Sequence, residues 1–115
     1  MKVGYLRIHL HDTADDIEQC IKNLRAVGCD VIHQDQASRM TSRKFAEQQP
    51  VLQQIIAQLQ AGDTLIVNKL DRVSDHLRHL IKLVFILKEK QVSFQSLNDH
   101  IDTNPPNGES ILHIF

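Results

Sequence analysis

The chain has 115 residues with a hydrophobic content of 42%, which is enough for one compact domain with a buried core and too little for two. Its 13 Lys and Arg residues and 14 Asp and Glu residues give a formal net charge of −1, and the sequence contains no long basic run. The chain therefore lacks the overall charge of an autonomous nucleic-acid-binding protein, so any contact with DNA has to be local.

Cysteine spacing and hydropathy exclude two further classes of protein. Cys20 and Cys29 lie nine residues apart without CxxC spacing, in a sequence with no signal-peptide pattern, which indicates free thiols in the cytoplasm. The longest nearly apolar stretch, residues 77–87, contains an arginine, a histidine and a lysine and is too short to span a membrane. We therefore expect a soluble cytoplasmic protein that does not contact a membrane.

The first half of the chain alternates strand and helix patterns. Residues 2–8, KVGYLRI, form a short strand-like run, and residues 13–28 carry apolar side chains at helical spacing after a Thr13 N-cap. Residues 29–35, CDVIHQD, predict a second strand. A polar stretch follows this strand and continues to Gln49.

The second half continues the alternation. Residues 50–62 predict a helix with Pro at its start and Gly at its end. Residues 63–68, DTLIVN, have the consecutive apolar side chains of a strand that is covered on both faces. Residues 74–91 predict a third helix that Ser74 caps, and residues 92–98 predict a fourth strand.

This order of elements predicts an α/β fold with an open, mainly parallel four-stranded sheet and helices on both faces, similar in appearance to flavodoxin. In such sheets the functional groups gather outside the carboxyl ends of the strands. Four polar clusters occupy such places in the sequence: residues 7–12, 35–38, 68–75 and 97–103. We expect the functional site to be built from them.

The cluster that begins NKLDRVSDHL is the most informative of the four. It places Lys69, Asp71 and Arg72 at a strand end, just before a helix N-terminus that itself favours anions. An arginine fork binds phosphate oxygens in pairs, and a neighbouring aspartate can orient the arginine or accept a proton. A phosphate-handling site is one interpretation, and a solvated loop with a salt bridge is the other. Neither GxGxxG nor GxxxxGK[ST] occurs, so no nucleotide cofactor is expected.

The histidines raise the question of a metal site. His9 and His11 alternate onto one face of a strand, and His76 and His79 lie three residues apart on the third predicted helix. Such spacing can bind zinc, but no third or fourth ligand can be identified near either pair. We therefore expect neither a metal nor another cofactor.

Several segments resemble the serine recombinases, the resolvase and invertase family, and together they cover residues 2–115. VGYLRIHL is similar to the opening strand of the family, DQAS to its Asp-x-x-Ser-Gly, and GDTLIVNKLDRV to its central strand with the Lys-Leu-Asp-Arg-Leu signature. VSFQSLNDHIDTNPPNGESILHIF resembles the segment with Phe-x-Ser-Leu, Ile-Asp-Thr and Pro-x-Gly. The resemblance implies a resolvase-like fold and a reaction in which a serine hydroxyl attacks a DNA phosphodiester. A 5′-phosphoserine link then forms, and strands exchange within a tetramer before they are rejoined.

The resemblance also implies which residues form the site. His9 stands at the position of the nucleophilic serine. The predicted catalytic positions are Arg7, His9, Ser38, Asp71 and Arg72. The predicted contacts to DNA phosphates are Arg7, Lys69 and Arg72.

The chain departs from the family pattern at three positions. His9 replaces the serine, Asp75 stands where the family carries an arginine, and Gln49 stands in the place of an arginine before the second helix. Without the nucleophile the covalent route is lost, and a carboxylate at position 75 repels the charge of the phosphate. We therefore expect a catalytically degenerate recombinase domain. Three basic residues of a longer loop could replace the lost charge: Arg39, Arg43 or Lys44.

Two alternatives stay open, a non-catalytic interaction or regulatory domain on the same scaffold and a phosphodiester-cleaving enzyme that uses His9. The resemblance further implies a long dimerisation helix that would begin near Glu109, followed by a helix-turn-helix DNA-binding domain. Residues 1–115 would then be a resolvase-like catalytic domain truncated before both. DNA binding by this chain alone is expected to be weak and salt-dependent, and the chain is expected to be a monomer or a weak homodimer.

Overall fold

The computed structural model describes residues 1–36, 49–73, 77–99 and 101–102. The strands are β1 (Lys2–Ile8), β2 (Val31–Gln36), β3 (Thr64–Val67), β4 (Ser93–Ser96) and β5 (Ile101–Asp102). The helices are α1 (Ala14–Ala26), α2 (Pro50–Gln58) and α3 (Leu77–Glu89), and a 3₁₀ turn (Leu70–Arg72) lies between β3 and α3.

The strands form one sheet in the order β2-β1-β3-β4-β5. Strands β1 to β4 are parallel to one another, and β5 runs antiparallel to β4. The predicted α/β fold with a mainly parallel sheet is thereby confirmed. The fifth strand was not expected from the sequence, because a strand of two residues is too short to show an alternating pattern.

Helices cover both faces of the sheet. Successive side chains of β1 point to opposite faces, and Val3 and Tyr5 lie in the main apolar cluster with residues of α2 and α3. Gly4 faces α1, where an added Cβ would lie 3.3 Å from Leu24 Cδ1 and 3.1 Å from Cys29 Sγ. A larger residue at position 4 would force these neighbouring side chains to shift, so the glycine allows close packing against this face of the sheet.

The start of α1 is fixed by a capping box. Thr13 Oγ1 accepts a hydrogen bond from Asp16 N over 3.1 Å, and the Asp16 carboxylate accepts one from Thr13 N over 3.0 Å. The predicted N-cap at Thr13 is therefore confirmed. The box also determines where the loop between β1 and α1 ends, which is directly after Asp12.

Two exclusions drawn from the sequence can be compared with the described part of the chain. Cys20 and Cys29 are both free thiols. Within residues 1–36, 49–73, 77–99 and 101–102, no helix has both the length and the apolar character needed to cross a membrane. The predicted cap of α3 at Ser74 lies outside the described residues.

Candidate functional site

The loop after β1 and the 3₁₀ turn after β3 meet at one edge of the sheet. His9 directly follows β1, and the 3₁₀ turn carries Asp71 and Arg72. These strands are neighbours in a parallel pair, so their carboxyl ends lie side by side. Two of the four predicted polar clusters are thus in direct contact.

An ion pair between Arg72 and Asp12 joins the two segments. The Nη1 and Nη2 atoms of Arg72 donate to Oδ2 and Oδ1 of Asp12, with 3.0 Å between Nη2 and Oδ1. Arg72 Nη1 also donates to the backbone oxygen of Arg7 over 3.3 Å. The Arg72 side chain is 13% exposed and that of Asp12 is 8% exposed. The arrangement is a fork-to-fork pair that is largely shielded from water.

Each member of this pair changes the ionisation of the other. The hydrogen bonds from Arg72 hold the pKa of the Asp12 carboxyl below its usual value. The Asp12 carboxylate in turn raises the pKa of the Arg72 guanidinium. Both groups are therefore charged at neutral pH, and their charges offset each other.

His9 is held between these segments. Its side chain is half-buried, and Nε2 lies 3.1 Å from the backbone oxygen of Asp71. In the tautomer that carries its proton on Nε2, the ring donates to this oxygen. The backbone N–H of His9 donates to Asp12 Oδ2 over 2.7 Å. The same aspartate therefore contacts both His9 and Arg72.

The other predicted site residues lie at different distances from this centre. Arg7 is half-buried in β1, beside Asp35 in the register of β2, and its backbone oxygen contacts Arg72. Lys69 is exposed and directly precedes the 3₁₀ turn. The predicted residue Ser38 and the departure at Asp75 lie outside the described residues. So do the three basic loop residues that could replace the lost charge, which are Arg39, Arg43 and Lys44.

The fourth predicted cluster also reaches the 3₁₀ turn. Asp99, after β4, accepts a hydrogen bond from the Leu70 backbone N–H over 3.0 Å. Ser96 Oγ donates to the same carboxylate oxygen over 2.6 Å. The Asp99 carboxylate therefore connects the start of the 3₁₀ turn to the buried Ser96 at the end of β4.

The second cluster contributes a buried carboxylate that anchors α2. Asp35, at 5% exposure, accepts from Tyr5 Oη over 2.8 Å. It also accepts from the backbone N–H groups of Val51 and Leu52 over 3.0 and 2.9 Å. These two N–H groups belong to the first turn of α2, where they have no partner within the helix. Asp35 therefore attaches the end of β2 to the positive end of α2.

Gln49 completes this network. Its amide nitrogen donates to Tyr5 Oη over 3.0 Å and to the backbone oxygen of Val73, and the residue is 1% exposed. Burial raises the pKa of the Tyr5 phenol, which keeps it protonated as a donor to Asp35. A neutral amide with two N–H groups suits a buried position with two oxygen acceptors.

Two contributors to the site were missed by reasoning from the sequence. Asp12 was included only as a member of the polar cluster 7–12, and Gln49 was considered only as a departure from a family arginine. The sequence did contain a sign that Asp12 belongs to the site, namely its position in the cluster 7–12. The carboxyl ends of neighbouring parallel strands meet at one edge of the sheet, which brings this cluster near Arg72. No signal in the sequence marks Gln49 as buried, since glutamine is mostly exposed in proteins.

The described residues contain no group of three or more His, Cys, Asp or Glu side chains placed to hold a metal ion. His9 contacts the 3₁₀ turn instead, and His11 is exposed. On α3, His79 is half-buried. His76, the other member of its predicted pair, lies outside the described residues.

A family model described as "Resolvase, N terminal domain" matches residues 2–115. Fold and sequence together define the catalytic-domain class of the serine recombinases and DNA invertases, and the chain belongs to the resolvase N-terminal domain family. The resemblance stated from the motifs is thereby confirmed.

Two curated relatives show the extent of the match. The serine recombinase gin of Escherichia phage Mu is 37% identical over 115 residues, which cover 100% of this chain and 56% of that protein. The DNA-invertase of Escherichia phage P1 is 36% identical over 115 residues, which cover 100% of this chain and 58% of that protein. The chain thus spans little more than half the length of these relatives.

Two solved structures share the fold. The N-terminal catalytic domain of TP901-1 integrase has a TM-score of 0.69 and 28% identity, covering 99% of this chain and 90% of that one. A resolvase-family site-specific recombinase from Streptococcus pneumoniae has a TM-score of 0.66 at 14% identity, covering 99% of this chain and 84% of that one. At 14% identity, the similarity to the Streptococcus pneumoniae recombinase shows a shared fold only.

Proposed function

We propose that this chain is a serine recombinase catalytic domain that contacts DNA backbone phosphates and does not form the phosphoserine link. The family match over residues 2–115 supports the class, and the names of the relatives, a serine recombinase and a DNA-invertase, support DNA as the partner. The single observation that carries the catalytic part is His9 at the end of β1, where the resemblance puts the serine.

The chemistry explains why this position decides the outcome. Formation of a phosphoserine needs a hydroxyl oxygen that loses its proton and attacks phosphorus. The His9 ring supplies no hydroxyl, and its Nε2 already contacts the Asp71 backbone oxygen. Gln49 supplies no positive charge where the family carries an arginine, and the loss of one such group costs about 10²–10³ in rate. We therefore expect the chain to keep the family scaffold and its phosphate contacts but not to form a covalent link with DNA.

The phosphate contacts of the proposal are those named from the sequence. Lys69 is exposed beside the 3₁₀ turn, and Arg7 and Arg72 meet through a hydrogen bond at the end of β1. Residues 1–115 would form the catalytic domain, and sequence-specific recognition of DNA would come from elsewhere. Weak binding that depends on salt and not on sequence follows from this assignment.

Binding of a labelled duplex oligonucleotide at several salt concentrations tests this part of the proposal. We expect Lys69→Gln to weaken binding on every duplex sequence and to reduce the salt slope by about 1, because one phosphate contact is lost. Lys88→Gln is the matched control, since Lys88 is exposed in the last turn of α3. An unchanged slope in Lys69→Gln, or an equal change in Lys88→Gln, would contradict the assignment.

The two alternatives give different results in solution. If His9 cleaves phosphodiesters, the chain nicks supercoiled plasmid in the presence of divalent metal and His9→Ala abolishes nicking. If the scaffold is a regulatory interaction domain, the chain binds a protein partner while duplex binding is absent at low salt. The contact between the His9 ring and the Asp71 backbone oxygen favours neither alternative, because it holds the ring in position and involves neither a phosphate nor a partner protein.

A further inference from the structure

Arg72 is central to the proposed phosphate contact, yet its fork is already occupied within the chain. Both Nη atoms donate to the two oxygens of Asp12, and Nη1 donates in addition to the Arg7 backbone oxygen. A carboxylate offers a guanidinium two oxygens in nearly the same geometry as a phosphate does. Asp12 therefore takes the place at the fork that a phosphate would take.

The Asp12 carboxylate is held in this position by its own loop. It accepts a hydrogen bond from the His9 backbone N–H over 2.7 Å, and the Asp12 backbone N–H donates to the His9 oxygen over 3.1 Å. The capping box of α1 begins at the next residue, Thr13. Asp12 is therefore not a surface side chain that reaches Arg72 by chance, because the loop presents it to the guanidinium.

The pair also resists displacement. Its two side chains are 13% and 8% exposed, so little water is available to solvate either charge on separation. An incoming phosphate has to break charge-assisted hydrogen bonds and meets a carboxylate of its own sign. Phosphate affinity at Arg72 is reduced by both effects.

We propose that Asp12 is an internal competitor that keeps phosphate off the Arg72 fork as long as the loop between β1 and α1 keeps its present position. This inference rests on the proposed function for its biological meaning, because the phosphate there is that of a DNA backbone. Movement of the loop away from Arg72 would open the fork, and the sheet and the 3₁₀ turn would stay in place.

Titration with inorganic phosphate, followed through the backbone amide resonances of His9 and Arg72, tests the competition without DNA. In Asp12→Asn the negative charge is lost, while an amide oxygen can still accept from the His9 N–H. We expect Asp12→Asn to bind phosphate about tenfold or more tightly than the wild type, because the opposing charge and its bonds are gone. Asp12→Ser, which also lacks the carboxylate, carries the same expectation should asparagine disturb the loop.

Two further variants make the result specific. Asp15→Asn makes the same change of charge at an exposed position in the first turn of α1, and we expect its phosphate affinity to equal that of the wild type. Adding Arg72→Gln to Asp12→Asn should abolish the gain. The competition is overturned if Asp12→Asn and Asp12→Ser bind phosphate no better than the wild type, if Asp15→Asn gains equally, or if the gain survives the loss of Arg72.

The phosphate titration and the duplex experiment fail in different ways. Tighter phosphate binding by Asp12→Asn together with no duplex binding by any variant would retain the competition at Arg72 and contradict the proposed DNA contact. If duplex binding follows the expected salt slope but Asp12→Asn gains no affinity for inorganic phosphate, the proposed function is retained and the role of Asp12 is overturned.

Discussion

Asp12 has a structural role as well as a place at the site, because its carboxylate links the loop after β1 to the 3₁₀ turn. It accepts from Arg72 and from the His9 backbone, and the pKa of the carboxyl is lowered chiefly by the hydrogen bonds from Arg72. A carboxyl whose pKa is lower in the folded state stabilises the fold above its unfolded-state pKa, which is about 3.9 for aspartate. This stabilisation is lost as the pH falls through the lower, folded-state pKa.

The pH dependence of unfolding measures this contribution. We expect Asp12→Asn to lower the free energy of unfolding by about 2 kcal/mol at neutral pH, because Arg72 keeps its charge without its partner. The difference from the wild type should shrink as the pH falls below about 4, where the Asp12 carboxyl of the unfolded chain begins to be protonated, and vanish below the lower folded-state pKa. Urea denaturation at a series of pH values checks this, with Asp15→Asn as the control. A difference that stays constant from neutral to acid pH would contradict the role of the ionised carboxylate.

At the residue scale, the sequence identifies types of side chain more readily than their partners. Asp12 and Arg72 are 60 positions apart, and no local pattern links them. The segment NKLDRV left open whether Arg72 serves a phosphate site or a salt bridge, and the structure shows the salt bridge with a residue from another loop. The partner of Arg72 is determined by the packing of two strand ends against each other, and this packing cannot be read from a single sequence.

Helix α2 depends on residues outside itself for its start. Pro50 occupies the first turn, and Gln49 makes no side-chain capping hydrogen bond to the helix. Asp35, from the end of β2, accepts from the Val51 and Leu52 backbone N–H groups instead. The two backbone N–H groups at the start of this helix therefore depend on a single carboxylate for their hydrogen bonds.

Hydrogen exchange at the start of α2 measures this attachment. We expect Asp35→Asn to speed exchange of the Val51 and Leu52 amides by roughly fivefold, the change that a loss of about 1 kcal/mol gives. Asp30→Asn is the control, because Asp30 accepts from the Lys2 backbone N–H at the far end of the sheet. Unchanged exchange in Asp35→Asn, or equal acceleration in the control, would show that the helix start has another anchor.

At the element scale, regular patterns predicted most of the fold. The run KVGYLRI predicted β1 with the bounds that the structure has, and Thr13 was confirmed as the cap of α1. Strand β2 begins two residues later than predicted and ends one residue later. The missed strand, β5, is defined by its antiparallel pairing with β4 and not by a pattern of its own. Local periodicity gives the type of an element, while its ends and its shortest pieces depend on tertiary contacts.

For the whole molecule, the sheet order explains why a site of distant residues could be anticipated. In the order β2-β1-β3-β4-β5, the parallel strands present their carboxyl ends at one edge, where the predicted polar clusters lie. The position of the clusters at strand ends therefore predicted that the segments after β1, β3 and β4 lie together, and their hydrogen bonds confirm this contact. Neither the strand ends nor the family resemblance could show that Asp12 holds Arg72 or that Gln49 is buried, since both depend on side-chain packing.

A trapping experiment with DNA decides whether this domain, on the recombinase scaffold, carries out the covalent step. The wild-type chain is incubated with supercoiled plasmid, the reaction is stopped with detergent, and the protein is analysed by mass spectrometry for covalently attached nucleotide. We expect no protein–DNA adduct at any protein concentration, because position 9 offers no hydroxyl. An adduct formed by the wild-type chain, on His9 or on any serine, would contradict it.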